Sequence, residues 1–233
     1  MNTEGLKERA EQYYLKLESA NLEHEIYLVD TGYKKDRIVV SMAGKIAIQR
    51  NPRLLEMAFA DEPGRELLFW DSWTNQWMRP GLRSAIYRNS VRSGALGLVS
   101  QKIVIKQVLP DLGGGEIDST AFEQFIALEA IRSCGFSVVP VLLATEKTNR
   151  LILEWYSGKH PMADKLQSLL GQYTDLLDNS VRELTKHGRW DPEWGSVDKS
   201  PRNYFIGDLN SSDLRRHFVV LDPVSRRTLF IWG

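Results

Sequence analysis

Apolar and polar positions change period several times along the chain, and each change marks an element. Leu6, Ala10, Tyr13, Tyr14, Leu17 and Ala20 recur at helical spacing with charges between them, which predicts a helix over residues 3–21. "HEIYLVDTG" and "DRIVVSMAGKIAI" read as strands joined by a Gly-Tyr-Lys-Lys turn, and "NPRLLEMAFA" as a short helix with Pro52 near its start. "DEPGRE" breaks the chain around residues 61–66. Beyond it, the aromatic-rich "ELLFWDSWTNQWM" is strand-like, and a Ser- and Gly-rich loop over 89–101 leads to the strand "KIVIKQVLP". Phe122, Phe125, Ile126, Leu128 and Ile131 share one face of a helix over 119–134. "VVPVLLATEK" and "RLILEWY" are strands meeting at a Thr-Asn-Arg turn. A long helix follows, with Leu166, Leu170, Tyr173, Leu177, Val181 and Leu184 in register, and ends at His187-Gly188. An irregular loop (189–202), the strand "NYFIG", a polar turn and the strand "HFVVLDPVS" complete the pattern.

This order predicts an α+β chain of two parts: an N-terminal α+β unit over 1–64 and a second domain over 65–233. Length supports a sizeable core, since the chain has 233 residues. Thirty basic and thirty acidic residues cancel, so no nucleic-acid partner is expected from charge. Cys134 is the only cysteine, which excludes an intrachain disulfide and suits a reducing compartment; beside apolar neighbours it reads as a small buried hydrophobe. The polar N-terminus lacks an apolar leader, and no run approaches a membrane span. The expectation is a cytoplasmic protein with no membrane partner.

Chemistry enters with four polar residues on or beside apolar strands. Lys106 lies inside "IVIKQV", where a lysine is costly unless it snorkels to water or meets an anion. "DKSPRN" sets Asp198 and Asn203 five positions apart with Pro201 between them, just before an apolar strand. Asp222 ends the strand "FVVLD". Taken singly, each has an ordinary reading: an edge-strand lysine, a polar loop, a turn-starting aspartate. Taken in order, they offer what phosphoryl transfer needs: a cation for the phosphates, hard ligands for a metal, and a carboxylate for the acceptor hydroxyl.

That ordered set resembles a protein kinase. "VIK" is similar to the kinase "VAIK" strand, "DKSPRN" to the second half of "HRDLKPEN", and Asp222-Pro223-Val224 stands where Asp-Phe-Gly would. "GLRSAIY", "VIK", "DKSPRNYF" and "DPVS" together most resemble the compact early-gene Ser/Thr protein kinases of short-tailed coliphages, over roughly residues 75–228. The resemblance implies a minimal, truncated, bilobal kinase-like fold, with an upper lobe over about 65–156 and a reduced lower lobe over about 157–233. It also implies ATP and Mg²⁺ as cofactors. Gly81 and Ser84 would cover the phosphates, Lys106 would hold them, and Glu129 would pair with the lysine, with Glu123 as the competitor. Backbone groups near Glu154 and Trp155 would hold adenine. Asp198 would orient the acceptor, and Asn203 and Asp222 would bind the metal. The implied partners are protein substrates in a bacterial host cytoplasm.

The chain departs from the family in three places. Ser196-Val197 replaces the usual His-Arg, and "GRWDPEWGS" is inserted before Asp198, bringing Trp190, Asp191 and Trp194. Eleven residues follow Asp222, so an Ala-Pro-Glu activation loop and a helical lower half are not expected. Two functions follow: a Ser/Thr phosphotransferase acting on proteins or on itself, or a kinase-like module that binds and inhibits a host protein. A small-molecule kinase of the aminoglycoside-phosphotransferase type is a weaker third, since ten residues separate Gly188 from Asp198.

Overall fold

The computed structural model describes residues 24–30, 35–60, 65–66, 69–71, 76–78, 84–93, 99–108, 120–192 and 196–222. The predicted helix over 3–21, Gly81, Trp194 and the residues after Asp222 lie outside them. The architecture is mixed α+β, and contacts divide it into two units. One comprises 23–125 with 140–156; the other includes 126–139 and the residues from 157 on.

The first unit is built on a seven-stranded sheet. Its strands are β1 (His24–Asp30), β2 (Lys35–Ser41), β3 (Arg65–Glu66), β6 (Ser84–Ser93), β7 (Val99–Val108), β8 (Val141–Thr145) and β9 (Arg150–Glu154). Two further strands, β4 (Phe69–Asp71) and β5 (Gln76–Met78), form a separate hairpin. The order across the large sheet is β1-β2-β8-β9-β7-β6-β3, with every neighbouring pair antiparallel. Alternation sorts the side chains of β7: Ile103 and Ile105 are fully buried, while Lys102, Val104 and Lys106 take the other face. Ile103 and Ile105 join a core with Ile38, Val40, Leu142, Leu143 and Ile152. Two helices contribute to it, α1 (Met42–Arg50) through Ala47 and α2 (Arg53–Phe59) through Leu54 and Ala58.

Three expectations are corrected here. The strand expected through "DRIVVSMAGKIAI" stops at Ser41, because the Ser41 hydroxyl caps a helix, accepting from Gly44 N at 3.0 Å. The same hydroxyl donates to Val141 O at 2.5 Å, which ties the cap to β8. Gly44 is required there, since a Cβ would fall 1.8 Å from Leu142 O. The loop expected over 89–101 is mostly strand: β6 and β7 pair from Ser84↔Val108 to Ser93↔Val99. The boundary expected at 64/65 does not separate two units, because β2 is hydrogen-bonded to β8 and, with β1, completes the sheet. Local sequence carried no sign of that pairing, which joins residues a hundred positions apart.

Helix α3 (Ala121–Ser133) carries the division between the units. It is buried continuously from Ala121 to Ile131, Glu123, Gln124 and Glu129 included, rather than on one face alone. The second unit holds α4 (Asp164–Lys186) and the hairpin of β10 (Tyr204–Ile206) with β11 (Phe218–Val220). Gly188, at φ 68°, follows the C-terminus of α4 as expected. Tyr173 of α4 centres an aromatic core, meeting Phe136, Tyr204 and Phe218 edge-on at centroid distances of 5.5, 5.8 and 5.2 Å. Cys134 is only half-buried, and what burial it has pushes its thiol pKa up. Among the described residues, no helix is long and apolar enough to cross a membrane.

Candidate functional site

In the sheet unit, three adjacent strands carry the residues expected to meet a nucleotide. Lys106 sits on β7, opposite Ile86 of β6 and Leu151 of β9. It is therefore on a central strand, not at an edge, and it is half-buried. Ser84 opens β6 opposite Val108, one turn of the pleat from the lysine position. Gly81 precedes the described part of that strand. Glu154 ends β9 opposite Ile103 and is exposed. Of the backbone groups expected near adenine, Glu154 N donates to Pro140 O at 2.9 Å and Trp155 N to Lys102 O at 3.0 Å.

Helix α3 separates its two glutamates by role. Glu123 closes a capping box: Thr120 N donates to its carboxylate at 2.5 Å, and Glu123 N donates to Thr120 Oγ1 at 3.1 Å. Glu129 lies nearly two turns further on, only 8% exposed, and pairs with Arg132 at 3.2 Å. The competitor glutamate thus has a structural task that explains its presence.

In the other unit, the remaining residues lie at or before the β10–β11 hairpin. Tyr204 pairs with Val220, and Leu221 N donates to Asn203 O at 2.9 Å. Asn203, just before β10, and Asp222, just after β11, therefore stand at the same end of the hairpin. Asp198 approaches through the intervening loop. Its Oδ1 accepts from Ser200 N at 2.8 Å, an Asx turn, and Pro201 then opens a 3-10 turn over Pro201–Asn203. The Tyr204 hydroxyl donates to Asp198 O at 2.5 Å, fastening the loop to the hairpin. Burial pushes the Tyr204 phenol far above its ordinary pKa, and the charges of Tyr173, Asp198, Asp178 and Asp222 push it further the same way. Three carboxylates thus lie within electrostatic reach of one buried hydroxyl.

Asp178 belongs to none of the expected motifs. It lies on the buried face of α4 with Thr174, Leu177 and Val181 and is 8% exposed. Its carboxylate accepts from Val197 N at 3.2 Å and pairs with Lys199 at 2.9 Å. Lys199 also reaches Asp175 at 2.9 Å. The signal in the sequence was an acid in the apolar register of an otherwise amphipathic helix. Trp190, from the inserted segment, is buried in this unit at 2% exposure, whereas Asp191 is half-buried.

Asn203, Asp198 and Asp222 offer oxygen donors only, which suits a hard divalent cation. Among the described residues, no group of three or more His, Cys, Asp and Glu side chains is placed to hold a metal ion. Mg²⁺ does not need one, since it keeps several waters and binds through one or two carboxylates plus phosphate oxygens. A scan against protein-family models and a search of curated proteins both return no match.

Proposed function

We propose that the protein transfers the γ-phosphoryl group of ATP to Ser/Thr hydroxyls of a protein substrate or of itself, as a compact kinase-like phosphotransferase. The resemblance to the early-gene kinases of short-tailed phages points to a bacterial cytoplasm and to host proteins as targets. The observation that carries this reading is the end of the β10–β11 hairpin, where Asn203 immediately precedes β10, Asp222 follows β11, and the Asp198 carbonyl accepts from the Tyr204 hydroxyl. The central position of Lys106, between the strand after the candidate glycine loop and the strand ending in Glu154, supports it.

In this reading, bound ATP·Mg²⁺ supplies the transferable phosphoryl group. Lys106 holds negative charge on the phosphates, Asn203 and Asp222 hold the cation, and Asp198 orients the acceptor hydroxyl and takes its proton. Incubation with labelled ATP and Mg²⁺ tests it. Label should appear on the protein or on a general Ser/Thr substrate, and Asp198→Ala should lower the rate by about 10²-fold or more. Asp222→Ala should abolish the Mg²⁺-dependence of nucleotide binding. Absence of nucleotide binding, or label undiminished in both variants, overturns the reading.

A further inference from the structure

We infer that Asp178, with Lys199, is the positioning element of the Asp198 loop: a buried carboxylate on α4 that fixes the loop from its N-terminal side. The consequence for transfer rests on the proposed function; the clamp itself does not.

The Asx turn and the 3-10 turn shape the segment from Asp198 to Asn203 locally, and contacts from outside it fix where Asp198 sits. Three contacts do so. The Tyr204 hydroxyl holds the Asp198 carbonyl from the C-terminal side. Asp178 Oδ1 accepts from Val197 N at 3.2 Å, immediately before the aspartate. Asp178 Oδ2 meets Lys199 Nζ at 2.9 Å, immediately after it. One carboxylate therefore grips the chain on both sides of Asp198 and leaves that side chain outside the grip.

The chemistry of each partner fits the task. A carboxylate buried at 8% exposure needs donors, and a backbone N–H plus an ammonium supply them. The ammonium is shared with Asp175, and the two carboxylates hold its pKa above the ordinary lysine value, Asp175 foremost. Lys199 is bound within its own unit, between Asp175 and Asp178. Val197 is itself buried at 2% exposure, which anchors the loop's first residue apolarly as well. A shift of Asp198 by about 1 Å is enough to cost about 10²-fold in rate.

Two readouts test this on the full-length protein. Amide hydrogen exchange at 196–200 should quicken at least ten-fold in Asp178→Ala and less in Asp178→Asn, which keeps an acceptor for Val197 N. Lys199→Met, altered at a half-exposed side chain, should quicken the same residues while lowering the unfolding midpoint less than Asp178→Ala does. In the labelled-ATP assay, Asp178→Ala and Lys199→Met should lower kcat at least ten-fold with KM for ATP within two-fold of the unmutated value. Exchange at 196–200 unchanged in both Asp178→Asn and Lys199→Met overturns the clamp, whatever the activity. Unchanged kcat in both variants, while Asp198→Ala abolishes label, overturns its role in transfer and leaves the proposed function standing. If the unmutated protein transfers no label, the proposed function falls, and exchange alone decides the clamp.

Discussion

Asp36 and Asp178 are buried aspartates that do the same thing in different units, with different consequences. Asp36, fully buried on β2, accepts from Lys147 N at 2.8 Å, Thr148 N at 3.0 Å and the Thr148 hydroxyl at 3.1 Å. It holds the β8–β9 turn, where Asn149 takes the left-handed conformation at φ 52° and caps Ala121 N through its side chain. That turn joins two strands already paired along their length, so Asp36 completes a structure that many other contacts support. Asp178 holds a loop with few contacts of its own, beside the residues proposed to react. One carboxylate therefore adds to stability, whereas the other sets the geometry of a candidate site.

The cores differ in the same way. The sheet unit spreads its burial over many aliphatic side chains of modest size. The hairpin unit adds to its buried aliphatic side chains an aromatic cluster, Tyr173 with the three rings around it. Tyr173→Ala should therefore show the largest effect, about 3–5 kcal/mol of unfolding free energy, measured by denaturant titration. An effect below about 1 kcal/mol would show that the hairpin unit does not depend on this ring. Asp36→Ala should cost about 2–3 kcal/mol, because two backbone N–H groups lose their acceptor in a buried setting, while leaving nucleotide-dependent activity per folded molecule unchanged. A selective loss of activity would erase the contrast with Asp178.

Tyr204→Phe should cost about 1–2 kcal/mol near neutral pH, since it leaves the Asp198 carbonyl without its phenol donor. The pH dependence sharpens this. Burial, first, and the nearby negative charges raise the Tyr204 pKa in the folded state. Above the ordinary tyrosine value of about 10, the unfolded chain loses a proton that the folded chain keeps, so stability falls as pH rises past that point. The Phe variant should lose less stability than the unmutated protein between about pH 9 and pH 11. Tyr173, also raised by burial, should leave part of the alkaline slope in place. Ile105→Val should give the smallest change, about 1 kcal/mol, as one methylene-sized loss in a distributed core.

Much of the chain was legible locally. The apolar periods of α4, β8, β9 and the β10–β11 hairpin placed these elements, because each pattern reports which face of a single element is buried. The spacing of Asp198, Pro201 and Asn203 also has a local meaning, an Asx turn running into a proline-initiated 3-10 turn. Other features depended on partners distant in sequence. The end of β2 at Ser41 rests on a hydroxyl that caps α1 and reaches β8. The extent of β6 and β7 through 89–93 and 99–101 rests on their mutual pairing, which overrides a Ser- and Gly-rich composition. Glu123 and Glu129 have the same intrinsic chemistry, and only the N-terminus of α3 gives the first its capping role.

By itself, then, the sequence determined the α+β class, most elements of the second two-thirds, and a set of polar residues in an order suited to phosphoryl transfer. Those properties follow from local periodicity and residue chemistry. Only the tertiary structure decided that β1 and β2 join the same sheet, that Lys106 lies on a central strand, and that Asn203 and Asp222 flank one end of a hairpin. It also decided that Asp178 grips the chain around Asp198. Strand pairing and buried ion pairs join residues far apart in the chain, and no local pattern specifies which distant donor or acceptor a group will meet.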